Sequence, residues 1–166
     1  MHRRRILGID PGSIKTGFGV VEVQGTKLNY VTSGVIRLPQ KPLPERLGII
    51  FTSVQEILDQ YSPTEMAIEE VFLAKNPSSA FKLGQARGAA ITACVTKDIP
   101  VAEYAARLVK KSIAGSGAAD KTQVQYMVTK LLKLSAEPAE DAADALAIAL
   151  CHYHHKNQQN TLSKIS

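Results

Sequence analysis

Four acidic side chains stand where a divalent cation could be held: Asp10, Glu69, Asp141 and Asp144. Asp10 closes the apolar run Ile6-Leu7-Gly8-Ile9 and precedes the turn pair Pro11-Gly12. Glu69 closes a second apolar run, Met66-Ala67-Ile68. Asp141 and Asp144 lie three apart in a helical stretch and so share a face, while nearly everything else from Ala142 to Leu150 is alanine, leucine or isoleucine. A helix that is apolar all round is packed on several sides, which turns at least one of these aspartates toward protein. Grouped carboxylates repel, and burial adds a desolvation cost on the order of several kcal/mol per ion. Protons or a cation must offset that. Oxygen-only ligands with no nearby histidine suit Mg²⁺ or Mn²⁺, not zinc. Two such ions ~4 Å apart can activate a water and stabilise the leaving 3′ oxygen in phosphodiester hydrolysis. Taken singly, each acid also has an ordinary reading: Asp10 as a turn residue, and Asp141, with Glu137 and Glu140, as a complement to the dipole of a helix beginning near Pro138. The joint arrangement favours the metal site.

The elements that must position these acids follow from the hydrophobic pattern. Arg5 to Asp10 reads as a short buried strand. Thr16 to Val23 and Leu28 to Leu38, joined across Gln24-Gly25-Thr26-Lys27, extend it into an antiparallel meander. Pro39 to Pro44 reads as a loop. Leu47, Ile50, Phe51, Val54, Ile57, Leu58 and Tyr61 then recur at helical spacing up to Ser62-Pro63. A strand ending at Glu69, a glycine- and alanine-rich helix from about Ser78 to Thr96 and a strand from Pro100 to Tyr104 come next. Three helical stretches follow: Ala105 to Ile113, about Ala119 to Leu134, and Pro138 to His155. The polar tail, 156–166, is expected to be disordered. Strands grouped first and then alternating with helices indicate one α/β domain, 1–155, with a mixed sheet. In such sheets ligands gather beyond the carboxyl ends of the strands, so Asp10 and Glu69 meet at one rim if their strands are neighbours.

The whole chain sets wider bounds. Its 166 residues can bury a core of their own, and no run approaches the ~20 apolar residues of a membrane span. The apolar run after His2-Arg3-Arg4-Arg5 is too short for a signal peptide, which points to the cytoplasm. Cys94 and Cys151 form no CxxC pair and read as free thiols. A formal charge of +5 is compatible with a polyanionic partner. Two groups of basic residues could meet phosphates: Lys75, Lys82 and Arg87, then Lys110, Lys111 and Lys121. Phe72, just past the strand that ends at Glu69, could stack on an unpaired base or simply cover the core. Gly84, Ala86, Gly88, Ala89 and Ala90 permit close helix approach, in a dimer seam or within one subunit.

Two signals carry less. Gly115-Ser116-Gly117-Ala118-Ala119-Asp120-Lys121-Thr122 has an aspartate where a phosphate-binding loop requires glycine before the lysine, and a glycine hinge before a helix fits it better. Cys151, His152, His154 and His155 fit a helix end, where histidine complements the dipole, better than a metal site.

Gly8-Ile9-Asp10-Pro11-Gly12, Ala67-Ile68-Glu69-Glu70-Val71-Phe72, Lys82-Leu83-Gly84-Gln85-Ala86-Arg87-Gly88 and Asp141-Ala142-Ala143-Asp144-Ala145-Leu146-Ala147 together resemble the RuvC family of bacterial Holliday junction resolvases. The motifs occur in the family's order and the resemblance covers nearly the whole chain. It implies a ribonuclease H-like fold, with a mixed five-stranded sheet whose first three strands are antiparallel and whose further two are parallel, flanked by helices. It also implies a homodimer, symmetric nicking of four-way DNA junctions in recombination and repair, and Mg²⁺ as cofactor, one or two ions per subunit, with Mn²⁺ as a substitute. By the same resemblance Asp10, Glu69, Asp141 and Asp144 are catalytic metal ligands, Phe72 stacks on a junction base, and Lys110 and Lys121 lie near the scissile phosphate. The RuvA–RuvB branch-migration complex is the implied partner. Glu70 alternates away from Glu69 and is left out of the site. A dimer suits the substrate, because two-fold related active sites supply matched cuts in a junction of approximate two-fold symmetry.

Three other functions fit parts of the pattern. A non-catalytic junction-binding protein would be expected to lack some of the acids, and all four are present. An actin-like ATPase shares the Gly8-to-Gly12 pattern but needs two related domains. A ribonuclease H acting on RNA–DNA hybrids would use the same acids, and only the resemblance separates it.

Overall fold

The computed structural model describes residues 3–71 and 76–165. A five-stranded sheet of order β3-β2-β1-β4-β5 is built from β1 (Arg4–Asp10), β2 (Lys15–Gln24), β3 (Lys27–Arg37), β4 (Glu65–Glu69) and β5 (Val101–Tyr104). The first three strands pair antiparallel, and β4 and β5 join parallel to β1. This is the mixed sheet the sequence predicts.

Strand alternation assigns the two faces. Leu7 and Ile9 of β1 and Met66 and Ile68 of β4 enter a core beneath α1 (Leu43–Tyr61) and α2 (Pro77–Val95), with Ile50, Val54, Ala86 and Ala90. Ile6 and Ala67 point the other way, into a core with α3 (Ala106–Ala114), α4 (Lys121–Leu131) and α5 (Glu140–Ile165), among them Val109, Val124 and Leu146. Asp10 and Glu69 follow the parity of Ile6 and Ala67, so the sheet aims both acids at the α5 side.

Helix α5 lies directly on the strands because two glycines leave room for it. A Cβ at Gly8 would fall 2.0 Å from the Ala145 carbonyl oxygen, and one at Gly17 would fall 2.0 Å from that of Asp141. Farther along, His152 pins the helix again. Its Nε2 is 2.7 Å from Glu65 Oε1 and its Nδ1 is 2.6 Å from Tyr104 Oη. Burial alone would raise the Glu65 pKa, but hydrogen bonds from His152 and Arg4 outweigh it and hold the carboxyl down at about 2.

Several boundaries differ from expectation. Helix α1 starts at Leu43, inside the predicted loop, because a proline in the first helical turn has the right φ and lacks only an amide hydrogen that would be unpaired anyway. Helix α5 begins at Glu140, past Pro138, and continues to Ile165 where a disordered tail is expected. No glycine or proline interrupts 156–165, and side-chain bonds such as Thr161 Oγ1 to the Asn157 carbonyl (3.0 Å) line its exposed surface. His152 and His154 are therefore mid-helix, and not dipole-complementing residues at a helix end. No described helix is long and apolar enough to cross a membrane.

Candidate active site

The register of the sheet places the first two acids. Ile9 pairs with Ile68 across the parallel β1–β4 ladder, so Asp10 and Glu69 are the next residues on neighbouring strands, at the carboxyl rim. The first turn of α5 supplies the other two. One carboxylate oxygen from each of Asp10, Asp141 and Asp144 falls within 4.8 Å of the others. Among the described residues this is the one group of three or more metal-capable side chains, and it includes neither cysteine nor histidine. Glu69 lies outside that tight set but lines the same cleft of about 300 Å³, together with Lys110 and Lys121.

The local sequence explains how the lysines arrive. Gly115, with φ of 78°, ends α3 in the left-handed conformation that glycine tolerates. Asp120 opens α4 as the N-cap in a reciprocal capping box with Gln123. The residue that spoils the phosphate-loop pattern is thus a helix cap, and it makes Lys121 the first residue of α4. Lys121 Nζ lies 2.6 Å from Glu140 Oε1. Lys110 comes from α3, whereas Lys111 turns to a separate cavity lined by Cys151, His154 and His155, so the predicted basic group divides.

The electrostatics are those of a site crowded with anions. Burial, followed by repulsion from Asp144, Glu69 and Asp141, pushes the Asp10 carboxyl up to about 7. Burial is also the leading cause that raises Glu69 and Asp144, with Lys110 and Lys121 opposing it in both. Oxygen donors in close array, one of them held partly protonated near neutral pH by burial and mutual repulsion, fit a hard divalent cation.

In the ion-free protein, Asp10 and Glu65 tie stability to pH. Asp10 takes up a proton more readily folded than unfolded, so its contribution is full below about pH 3.8 and is lost as pH rises through about 7. Glu65 works the other way, stabilising above about 4.5 and losing its effect as pH falls toward about 2. Between pH 5.5 and 8 the Asp10 contribution dominates. The melting temperature in EDTA is expected to fall across that window, and Asp10→Asn should flatten the decline. An equally steep fall in the variant would show that Asp10 is not its source.

Lys15 and Arg87 take places that the sequence does not show. Lys15 Nζ lies 3.0 Å from Asp141 Oδ2. Its position two residues before Gly17 in a strand, hence on the same face, was the available signal. Arg87, grouped with phosphate-facing residues, instead turns inward and donates to the main-chain oxygen of Glu69 at 3.1 Å. Glu70 is exposed and Lys82 is exposed on α2, while Phe72 and Lys75 lie outside the described residues.

Comparison with known proteins decides the family. The family model for crossover junction endodeoxyribonuclease RuvC matches residues 6–152. The chain belongs to the RuvC family. A RuvC from Teredinibacter turnerae is 59% identical over 162 residues, covering 95% of this chain and 90% of that protein. The solved RuvC of Thermus thermophilus is 38% identical with a TM-score of 0.85, over 93% of this chain and 96% of that one. The same RuvC in complex with Holliday junction substrate gives a TM-score of 0.88 at 38% identity, over 94% and 96% of the two chains. The sheet order and flanking helices described above are thus those of a RuvC with its ribonuclease H-like fold.

Proposed function

We propose that this RuvC-family chain is an endonuclease that resolves four-way DNA junctions by symmetric paired nicks in recombination and repair. The observation that carries the reading is the convergence of Asp10, Glu69, Asp141 and Asp144 with Lys110 and Lys121 in one cleft, in a chain so similar to a RuvC solved with its junction. Asp10, Asp141 and Asp144 would hold Mg²⁺, with Mn²⁺ as a substitute and Glu69 as a further ligand for one or two ions per subunit. Bound there, a divalent cation supplies positive charge to the scissile phosphate and lowers the pKa of water. Glu69 orients the attacking water from the rim of the sheet. Lys110 and Lys121 offset charge on the phosphate, and Lys121 exchanges Glu140 for it. Phe72, three residues past Glu69, stacks on a junction base. The RuvA–RuvB complex is the proposed cellular partner and the cytoplasm the proposed compartment.

Helix α2 supports a homodimer. Ala86, Ala90 and Ala93 face the subunit's own core, but added Cβ atoms at Gly84 and Gly88 would meet nothing within 4 Å. Phe81, on the same helix, is 73% exposed, which is high for a large apolar residue and suits a covered face. Gly84→Arg is expected to fold normally and elute near the monomer mass of 17.9 kDa, with paired cutting lost. A variant that remains dimeric would place the seam elsewhere.

The function is tested with labelled substrates of three shapes: a synthetic four-way junction, a linear duplex and an RNA–DNA hybrid, each with Mg²⁺ or EDTA. Paired nicks in the junction alone, absent in EDTA, are expected. Cutting of the hybrid in preference to the junction would instead favour a ribonuclease H.

A further inference from the structure

The end of β4 is held by an arginine that does not itself line the acidic cleft. Arg87 lies on α2, and its side chain is 16% exposed. Its Nε donates to the Glu69 main-chain oxygen at 3.1 Å, and its Nη2 pairs with the Glu103 carboxylate. Glu103 sits on β5 opposite Ile68, and the amide of Glu70 donates to the Tyr104 oxygen at 2.8 Å. The peptide that follows Glu69 is therefore fixed from two sides, by β5 through Glu70 and by α2 through Arg87. That peptide sets the direction in which the Glu69 carboxylate leaves the strand. It is also where the ladder ends, so sheet pairing beyond it cannot do the same work.

We propose that Arg87 is a positioning residue for Glu69: its guanidinium bridges Glu103 and the Glu69 carbonyl and aims the Glu69 carboxylate into the cleft. The inference rests on the reading of Glu69 as a catalytic ligand. An arginine suits the task because its planar fork donates in two fixed directions, where a lysine offers one flexible point charge. A group displaced by about 1 Å can slow a reaction about 100-fold, so loss of the bridge falls on the chemical step and not on DNA binding. This separates it from a phosphate-contacting arginine, whose removal weakens binding and makes its salt dependence shallower by about one.

The test uses the full chain with Arg87→Met and Arg87→Lys. Three quantities are read: the single-turnover cutting rate of a synthetic junction at saturating Mg²⁺, the junction Kd in EDTA with its salt slope, and the melting temperature. Expected for both variants is a rate lower by roughly 10- to 100-fold, with Kd and salt slope as in the parent. If Arg87→Met does not fold, Arg87→Lys, which keeps the charge and the aliphatic stem, decides. A parental rate in a folded variant overturns the proposal, as does a weakened Kd with a shallower salt slope. Glu69→Gln is measured alongside. Parental cutting by Glu69→Gln sinks the catalytic reading of Glu69 itself, whereas an inactive Glu69→Gln beside a fully active Arg87→Lys sinks only the role given to Arg87.

Discussion

Asp10→Asn is expected to cut a four-way junction at least about 1000-fold more slowly than the parent while binding it as tightly or more so. Asparagine keeps the size of the side chain and removes its charge. Asp10 supplies one of the three carboxylate oxygens that lie within 4.8 Å of one another, and an amide oxygen is a poorer donor to a hard cation. A 1000-fold loss corresponds to about 4 kcal/mol of transition-state stabilisation. Binding should move the other way, because one fewer negative charge faces the DNA phosphates. The ion-free variant should also melt higher than the parent at pH 8, where the parent's Asp10 is ionised against Glu69, Asp141 and Asp144. Gel-shift binding in EDTA, single-turnover cutting and thermal melting read the three effects separately. A variant that loses binding and rate together would make Asp10 a structural residue.

Gly17→Ala is expected to be nearly as damaging, though glycine carries no functional group. The new methyl would fall 2.0 Å from the Asp141 carbonyl oxygen and 3.0 Å from the Asp141 Cβ. Ordinary contacts are longer by well over an ångström, and the obstacle is helix backbone, which cannot rotate aside. Either α5 lifts off the sheet or β2 bends. Overpacking of this kind costs about 3 kcal/mol or more, which lowers the melting temperature by roughly 10 °C in a domain of this size. The displaced residue is itself a proposed ligand, so the fraction that folds should cut about 100-fold more slowly. Gly48 provides the control: nothing lies within 4 Å of an added Cβ, and Gly48→Ala in an exposed helix should gain up to about 1 kcal/mol. Melting curves and single-turnover rates at 25 °C check both. A Gly17→Ala protein with parental stability and rate would mean that α5 does not rest on the sheet as described.

These two substitutions mark what the residues disclosed and what only the fold could. Asp10 was legible because it is a charge at the end of an apolar run, a pattern that burial makes expensive. Asp141 and Asp144 were legible because helical periodicity put them on one face of an otherwise apolar segment. Gly17 was not. A glycine inside a strand reads as a weak point in the ladder, and its use appears only once α5 is seen to cross it. Arg87 misled for a similar reason: among other basic residues it looks phosphate-facing, while the carbonyl it serves becomes visible only when α2 packs beside β4. Lys15 was hidden in the alternation of β2. The far end of α5 is helical despite its polar composition, because no glycine or proline interrupts it.

The cation site itself is tested most directly by titrating Mn²⁺ into the DNA-free protein in a calorimeter, in two buffers of different ionisation enthalpy. With its pKa at about 7, Asp10 is about half protonated at pH 7, so ion binding should expel about half a proton. The release should grow toward pH 6 and fade by pH 8.5. Asp10→Asn should bind at least about 10-fold more weakly and release almost none. Equal Mn²⁺ binding by parent and Asp10→Asn, with no proton release from either, would contradict a cation site built on these carboxylates.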